Sequence, residues 1–188
     1  MLGLTKSQFF SVLKIWIPLA IVTTGLCGLI YLAVQQDIRI GANDPQIQIA
    51  EDVARQISTG ESPLAFIPPI KVEISESLAN YIIIFDDKQK IIGSSAVLDG
   101  KTPVIPQGVL DKTKAVGETR FTWQPEGGVR SAVVVDYFKG ATNGYVLVGR
   151  SLREIENREN NLELIVFLTW AVTLGASLAA TTILSKLK

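Results

Sequence analysis

Two arginines and three aromatic residues in the C-terminal half of the chain could build a binding site for a small molecule. Arg120 and Arg130 flank one predicted hairpin, and guanidinium groups hold carboxylates through paired hydrogen bonds. Trp123, Tyr137 and Tyr145 would supply aromatic walls with polar tips. A solvated arginine pair beside core aromatics is the ordinary alternative for the same residues.

The composition argues against catalytic and metal-binding chemistry. The chain has no histidine, which excludes a histidine general base, an imidazole metal ligand and a phospho-accepting histidine. It contains no P-loop, dinucleotide fingerprint or nucleophile elbow. Asp86 and Asp87 could bind a hard cation, but paired aspartates are ordinary in a polar hairpin turn. We therefore expect no catalytic residue, no metal, no cofactor and no enzymatic activity.

Two uncharged apolar runs lie near the ends of the chain, at residues 15–35 and 164–184. At about 1.5 Å of rise per residue, each helix would cross a hydrocarbon core of roughly 30 Å. A buried core helix is the alternative for each run. A cleaved signal peptide is a further alternative for the first, although its apolar stretch is long and no A-x-A-like site follows. The runs predict two transmembrane helices.

The distribution of charge predicts the topology. Outside the two runs, the chain ends carry four lysines, whereas the other 14 of the 18 Lys and Arg residues and all 18 acids lie between residues 37 and 163. Basic flanks stay in the cytoplasm, so both termini are expected there, in a plasma or inner membrane. The predicted segments are a cytoplasmic tail (1–14), a transmembrane helix (15–35), an extracytoplasmic domain (36–150), a helical stem (151–163), a second transmembrane helix (164–184) and a cytoplasmic tail (185–188).

The region between the runs has the pattern of an α+β domain. A helix is expected to begin at Asp44-Pro45 and to end at Ser58-Thr59-Gly60, with one apolar face. β-branched and aromatic segments separated by turn residues then predict a five-stranded antiparallel sheet with this helix on one face. The predicted strands are 81–85, 91–97, 119–124, 129–138 and 145–149; residues 37–43 are predicted to be a linker, and 98–114 mostly loop with a short helix at 108–113.

A second long helix is expected to begin at a capping box, Ser151 and Glu154, and to continue unbroken to about Leu184. Its first turns could form a coiled-coil seam or pack on the domain, and both remain open. The seam positions are Leu152, Ile155, Leu162 and Val166, with Glu159 in the missing position.

Small residues at every fourth position predict contacts between membrane helices. They are Thr24, Gly28, Ala171, Gly175 and Ala179.

Two segments carry a resemblance to a known family. YIIIFDDKQKIIGSSA (residues 81–96) and GYVLVGRSLREIE (residues 144–156) resemble the extracytoplasmic PAS-like (Cache or PDC) sensor domains of bacterial receptors, such as two-component histidine kinases and chemoreceptors. The likeness covers about residues 44–163 and implies a small-ligand pocket over the sheet, roofed by the long loop. In such receptors an output domain follows the second span, whereas this sequence stops at Lys188. A stand-alone subunit, a remnant and a receptor fragment all remain open.

These observations predict a sensor-like membrane protein. Its outer domain would bind a small ligand or a protein partner and signal through the transmembrane helices to a separate partner in the membrane, and a homodimer is the expected unit. No nucleic acid partner is expected. The alternative is a non-enzymatic structural or assembly subunit of a cell-envelope complex.

Overall fold

A computed structural model describes residues 5–187 of the chain. The predicted tail residues 1–4 and Lys188 lie outside the described residues. The chain divides into two compact units. We call residues 39–156 the sheet domain, and residues 5–38 together with 157–187 the helical unit.

Within residues 5–187, four helices and seven strands follow one another. The helices are α1 (Lys6–Gly41), α2 (Asp44–Ser58), α3 (Val109–Val116) and α4 (Arg153–Lys186), with one 3₁₀ turn at Pro63–Phe66. The strands are β1 (Val72–Glu73), β2 (Tyr81–Asp86), β3 (Ile91–Ser94), β4 (Ala96–Val97), β5 (Glu118–Glu126), β6 (Val129–Phe138) and β7 (Gly144–Ser151).

Five of the strands form one antiparallel sheet in the order β3-β2-β7-β6-β5. The predicted α+β fold with a five-stranded antiparallel sheet is confirmed. Helix α2 occupies the predicted residues, and Gly60 beyond its C-terminus has a positive φ of 111°, the conformation that favours glycine after a helix. The last strand in sequence, β7, lies at the centre of the sheet.

The predicted strand 91–97 is divided at Ser95, because this residue bonds to two different strands. The Ser95 N–H donates to the Ile82 carbonyl oxygen of β2 (2.8 Å), whereas its own carbonyl accepts from the Val72 N–H of β1 (2.8 Å). The Ser95 hydroxyl also accepts from the Ile82 N–H (2.8 Å). Beyond Ser95 the chain pairs with β1 as the short parallel strand β4.

Both faces of the sheet are buried. The helix face packs against α2 and includes Val134, Val146 and Val148. The loop face is covered by β1, β4, α3 and the segment between β4 and α3. Because side chains alternate along a strand, consecutive residues within β6, and within β7, point to opposite faces of the sheet. The buried residues of the loop face include Tyr81, Ile83, Trp123, Val133, Tyr145 and Leu147.

The predicted linker 37–43 is wrong for most of its length, because α1 remains helical through Gly41. No proline or glycine interrupts residues 36–40, so continuing the helix keeps its backbone hydrogen bonds satisfied. Only Ala42 and Asn43 separate α1 from α2.

The predicted second long helix is present without a break, but it begins at Arg153, two residues after the expected cap. Ser151 instead closes β7, and its hydroxyl accepts a hydrogen bond from the Arg153 N–H (3.3 Å).

Helices α1 and α4 each contain an apolar stretch long enough to cross a membrane. Their most apolar 18-residue windows have mean hydropathies of 2.1 and 1.9, and 0% and 6% of these windows are buried. These helices are therefore candidate membrane spans by length and composition, and they lack the burial of a core helix.

Candidate functional site

The two arginines proposed to hold a carboxylate lie apart on the helix face. Arg120 of β5 is opposite Val134 of β6, four residues beyond Arg130, so the two arginines are offset by roughly 13 Å along the strands. Arg120 is ion-paired with Glu118 and Arg130 with Glu156. The structure therefore does not bring these arginines together into one carboxylate clamp.

The three aromatic candidates lie on the loop face, opposite to the arginines. Trp123 is buried against Tyr81, with the ring centroids 6.5 Å apart in an edge-to-face arrangement. Tyr137 and Tyr145 contact each other, with a centroid distance of 5.0 Å. Trp123 is opposite Ser131, six residues from Tyr137 along β6, so it is roughly 20 Å from the tyrosine pair. The five predicted ligand residues therefore do not form one binding site.

A polar cluster joins the aspartate turn between β2 and β3 to α3; we call it the Asp87 cluster. Asp87 Oδ1 accepts hydrogen bonds from Lys114 Nζ (2.8 Å) and from the Tyr137 hydroxyl (2.9 Å). Lys114 and Lys139 Nζ each lie 5.6 Å from the Tyr137 ring centroid, within range of a cation–π contact. The bonds from Lys114 and Tyr137 lower the pKa of Asp87, whereas Asp87 raises the pKa values of Lys114 and Tyr137.

The Asp87 carboxylate accepts its hydrogen bonds from within the cluster, from Lys114 and Tyr137. Among residues 5–187, no group of three or more His, Cys, Asp or Glu side chains could hold a metal ion. The chemistry available at this edge is hydrogen bonding and charge pairing from one acid, two lysines and a phenol.

Buried hydroxyl groups without partners are concentrated on the loop face. Among the described residues, four such hydroxyls have no hydrogen-bond partner: those of Tyr81, Thr119, Ser131 and Tyr145. Each unpaired buried group costs about 1–3 kcal/mol. Water or a small polar ligand on this face would satisfy them. Strand alternation could have found Ser131, because it lies two residues before Val133 and points to the same face.

Tyr81 is almost completely buried, with 1% of its surface exposed. Its ring lies across β7 at Gly149, where an added Cβ would be 2.2 Å from the ring. Burial raises the pKa of Tyr81 well above its usual range, and the Ser131 hydroxyl lowers it in part. Gly149 is therefore required for the position of the Tyr81 ring.

Replacing Tyr81 with phenylalanine should leave the free energy of unfolding unchanged within about 1 kcal/mol, or raise it, because the lost hydroxyl makes no well-formed hydrogen bond and only the Ser131 hydroxyl acts on it. The matched control is Ser95→Ala, which removes a buried hydroxyl that is bonded to the Ile82 N–H and should cost about 1–3 kcal/mol. Urea titration of the full chain in detergent micelles, followed by pulse proteolysis, measures both. A loss above about 1.5 kcal/mol for Tyr81→Phe would show that the hydroxyl is hydrogen-bonded, to Ser131, to water or to a ligand.

The junction between β7 and α4 is fastened at several points within the sheet domain. The Leu152 N–H donates to the Arg130 carbonyl oxygen (2.8 Å), and the Arg130 side chain is paired with Glu156 of α4. Arg153 Nη2 donates to the Glu76 carbonyl oxygen (2.6 Å). Arg150 Nε donates to the carbonyl oxygen of Leu78 (3.2 Å). The first turn of α4 is therefore tied both to β6 and to the loop between β1 and β2.

Two tryptophans connect α1 and α4 within the helical unit. Trp16 Nε1–H donates to the Leu174 carbonyl oxygen (3.2 Å) and to Ser177 Oγ (3.1 Å). Trp170 Nε1–H donates to Thr24 Oγ1 (2.9 Å). These hydrogen bonds join α1 to α4 within the helical unit.

The small residues predicted to mediate helix contacts are divided between two surfaces. Thr24 and Gly28 line an open groove of about 540 Å³ between α1 and α4, together with Tyr31 and Trp170. The other three small residues, Ala171, Gly175 and Ala179, are exposed, and a Cβ added at Gly175 would contact nothing within 4 Å.

Comparison with models of known protein families and with curated proteins found no match. Any function assigned to this chain therefore rests on its own residues and contacts.

Proposed function

We propose that this chain is a membrane-anchored sensor-like protein with an extracytoplasmic PAS-like sheet domain. The domain binds a small ligand or a partner, and a change in the domain is transmitted through the transmembrane helices to a separate protein in the membrane. The observation that carries the proposal is the direct connection of the central strand β7 to α4, with only Leu152 between them.

This connection supports signalling because it offers a short path for a displacement. β7 pairs with both β2 and β6, so a displacement of either strand would also displace β7. The contacts of Arg130 and Arg153 fasten the first turn of α4 to the same domain. Helix α4 then continues unbroken to Lys186. A ligand moves such a system only if it binds two states of the domain with different affinities.

Membrane insertion is supported by the surfaces of α1 and α4. Large apolar side chains such as Leu29 and Val172 are exposed along both helices, and soluble monomers rarely expose apolar surface so extensively. The lysines at the chain ends favour cytoplasmic termini and an external sheet domain. A homodimer formed through the helices is part of the proposal.

The loop face is the proposed ligand site. This face holds the four unpartnered hydroxyls, and the Asp87 cluster lies at its edge. Unpaired buried groups recover free energy when a ligand supplies the missing hydrogen bonds. The arginines on the helix face have no part in this site.

The first test is a thermal-shift screen of the full chain in detergent micelles against carboxylates, amino acids, sugars and divalent cations. A ligand at 100 times its Kd adds about 2.7 kcal/mol, which corresponds to several degrees for a domain of this size. A saturable shift that is lost in Tyr145→Phe would support the site. A cooperative melt that none of these compounds moves would count against ligand sensing.

Arg153→Ala should separate binding from transmission. The thermal shift should remain, because the exposed Arg153 side chain binds main-chain carbonyls and none of the loop-face hydroxyls, but the ligand-induced change in α4 should fall. Spin labels on α1 and α4, placed after Cys27→Ser removes the sole cysteine, would report that change as a distance in nanodiscs. Arg55→Ala is the control, because Arg55 is exposed on α2 and paired with Asp52. Equal ligand-induced changes in both variants would contradict the proposed path.

One observation favours a second candidate, a non-enzymatic assembly subunit of an envelope complex. Several residues of the sheet domain that lie outside its strands expose large apolar side chains; they include Leu64, Ile70, Val104 and Val116. Exposed apolar side chains mark a protein interface where they form one contiguous patch. Crosslinking from position 70 in cells distinguishes the candidates, because an assembly subunit should give one dominant heterologous product without added ligand.

A further inference from the structure

Carboxylates from three elements of the sheet domain lie near one another at the contact between α2 and the sheet. Glu118 of β5 is directly opposite Asp136 of β6. The Tyr137 N–H donates to the Gly117 carbonyl oxygen (2.9 Å), so Glu118 and Asp136 form a non-hydrogen-bonded pair, in which facing side chains are closest and Cα atoms lie about 4.5 Å apart. Glu51 of α2 acts electrostatically on the same carboxyl group.

Asp136 belongs to the surface that receives α2. Its neighbours at two residues on either side, Val134 and Phe138, are buried in the cluster that packs against α2. Side chains two apart on a strand share a face, so the Asp136 carboxyl group points towards α2. It is half-buried there.

The surroundings of Asp136 disfavour its ionised form. Burial, followed by the charges of Glu118 and Glu51, raises the pKa of Asp136 from 3.8 to about 6, and the Tyr137 backbone N–H offsets only part of this rise. On β7 the facing residue is Val146, which carries no charge. On β5, Arg120 is ion-paired with Glu118.

Arg120, on the same face of the sheet, also interacts with acidic residues of α2. Asp44 and Glu51 of α2 act on Arg120 in addition to Glu118. The helix therefore brings further negative charge towards the Glu118–Asp136 pair. Like charges directly opposite each other on neighbouring strands are destabilising.

We propose that Glu51, Glu118 and Asp136 form a proton-responsive lock that holds α2 on the sheet in mildly acidic surroundings and loosens it at neutral and alkaline pH. Protonation of Asp136 removes its repulsion with Glu118 across the strands and with Glu51 across the helix–sheet contact. The lock concerns the helix face, so it operates whether or not a ligand binds to the loop face.

The direction of the pH effect follows from the pKa of Asp136. The folded domain binds this proton more tightly than the unfolded chain does, so docking of α2 gains stability as the pH falls through about 6. The gain is complete below about 4, where the unfolded chain is also protonated. Between pH 8 and pH 5 the docking equilibrium should change by several-fold and by at most about tenfold, because the group is only half-buried.

Hydrogen–deuterium exchange of the α2 backbone amides tests the lock in the full chain, reconstituted in phosphatidylcholine nanodiscs, from pH 5 to pH 8 with correction for intrinsic exchange. In the wild type, α2 should open several-fold more often at pH 8 than at pH 5. Asp136→Asn should keep α2 closed across this range without pH dependence. Glu126→Gln, an exposed acid at the β5–β6 turn, should retain the wild-type profile.

A second variant tests the proposal even if Asp136→Asn does not fold. Glu118→Gln removes one neighbouring charge but keeps the titrating group, so the opening transition should move to lower pH. Equal protection of α2 in the wild type at pH 5 and pH 8 would overturn the proposal. So would a full pH dependence in Asp136→Asn, or an unshifted transition in Glu118→Gln.

Discussion

Replacing Trp123 with alanine should lower the free energy of unfolding of the sheet domain by about 3–5 kcal/mol. Trp123 is 3% exposed and packs against Tyr81 beneath the covering segments of the loop face. The truncation would remove a large apolar surface and leave a cavity that β5 and its neighbours cannot close. Since domains of this kind are stable by about 5–15 kcal/mol, the variant should lose a large fraction of the stability of the sheet domain.

Urea titration with pulse proteolysis of the full chain measures this effect. Trp123→Phe is the matched variant, because it keeps an aromatic ring and should lose less than half as much. Arg120→Ala on the same strand should change stability by no more than about 1 kcal/mol, because its ion pair with Glu118 is partly exposed. If Trp123→Ala instead left stability intact and abolished only ligand binding, Trp123 would be a wall of an open pocket.

The second large effect concerns the helical unit. Val172→Arg should prevent stable membrane insertion of α4, because a central arginine costs about 2.5–3.5 kcal/mol in a transmembrane helix. Val172 is 70% exposed, so the same change in a soluble protein would cost no more than about 0.5 kcal/mol. The substitution therefore distinguishes a lipid-facing helix from a water-facing one.

Alkaline extraction of membranes, combined with accessibility mapping of the sheet domain, measures the insertion of each variant. Asn160→Arg is the control, because Asn160 is exposed on α4 but precedes the uncharged run. Both variants add one arginine to the same helix. Equal extraction of the two proteins would count against membrane insertion of α4.

Strand positions were predictable because their signals are local. β-branched and aromatic segments are bounded by turn residues such as Gly127 and Gly128, and β6 occupies the predicted residues. The division at Ser95 was not predictable, because it depends on hydrogen bonds to Ile82 and Val72, both distant in sequence. A single strand is the natural expectation when only residues 91–97 are considered.

The candidate ligand residues illustrate what a strand pattern can and cannot tell. Arg120 and Trp123 are three residues apart on β5, an odd spacing that places them on opposite faces. The same holds for Arg130 and Tyr137 on β6. Alternation alone could therefore have separated the arginines from the aromatics. The distance between Trp123 and the Tyr137–Tyr145 pair required the register between β5, β6 and β7, which the sequence does not contain.

The contact between α1 and α4 also depends on information that the sequence pattern does not contain. Small residues at every fourth position predicted close approach, but they do not specify which surface meets the neighbouring helix. Trp16 and Trp170 donate hydrogen bonds between α1 and α4, and one of the predicted small residues, Thr24, accepts one of these bonds. Their indole groups need hydrogen-bond partners when they are buried, and Thr24 and Ser177 supply them.

The central position of β7 has a consequence for the order in which the protein is made. β2 leaves the ribosome long before its partner, since the β2–β7 pairing joins Asp86 to Gly144. At roughly 5–20 residues per second, synthesis of the intervening segment takes several seconds. During this time the β2–β3 and β5–β6 hairpins exist without the strand that joins them, and β2 presents an apolar edge. Because α4 follows β7 directly, the sheet can be completed only when α4 begins to leave the ribosome. Folding of the sheet domain and synthesis of α4 therefore overlap in time.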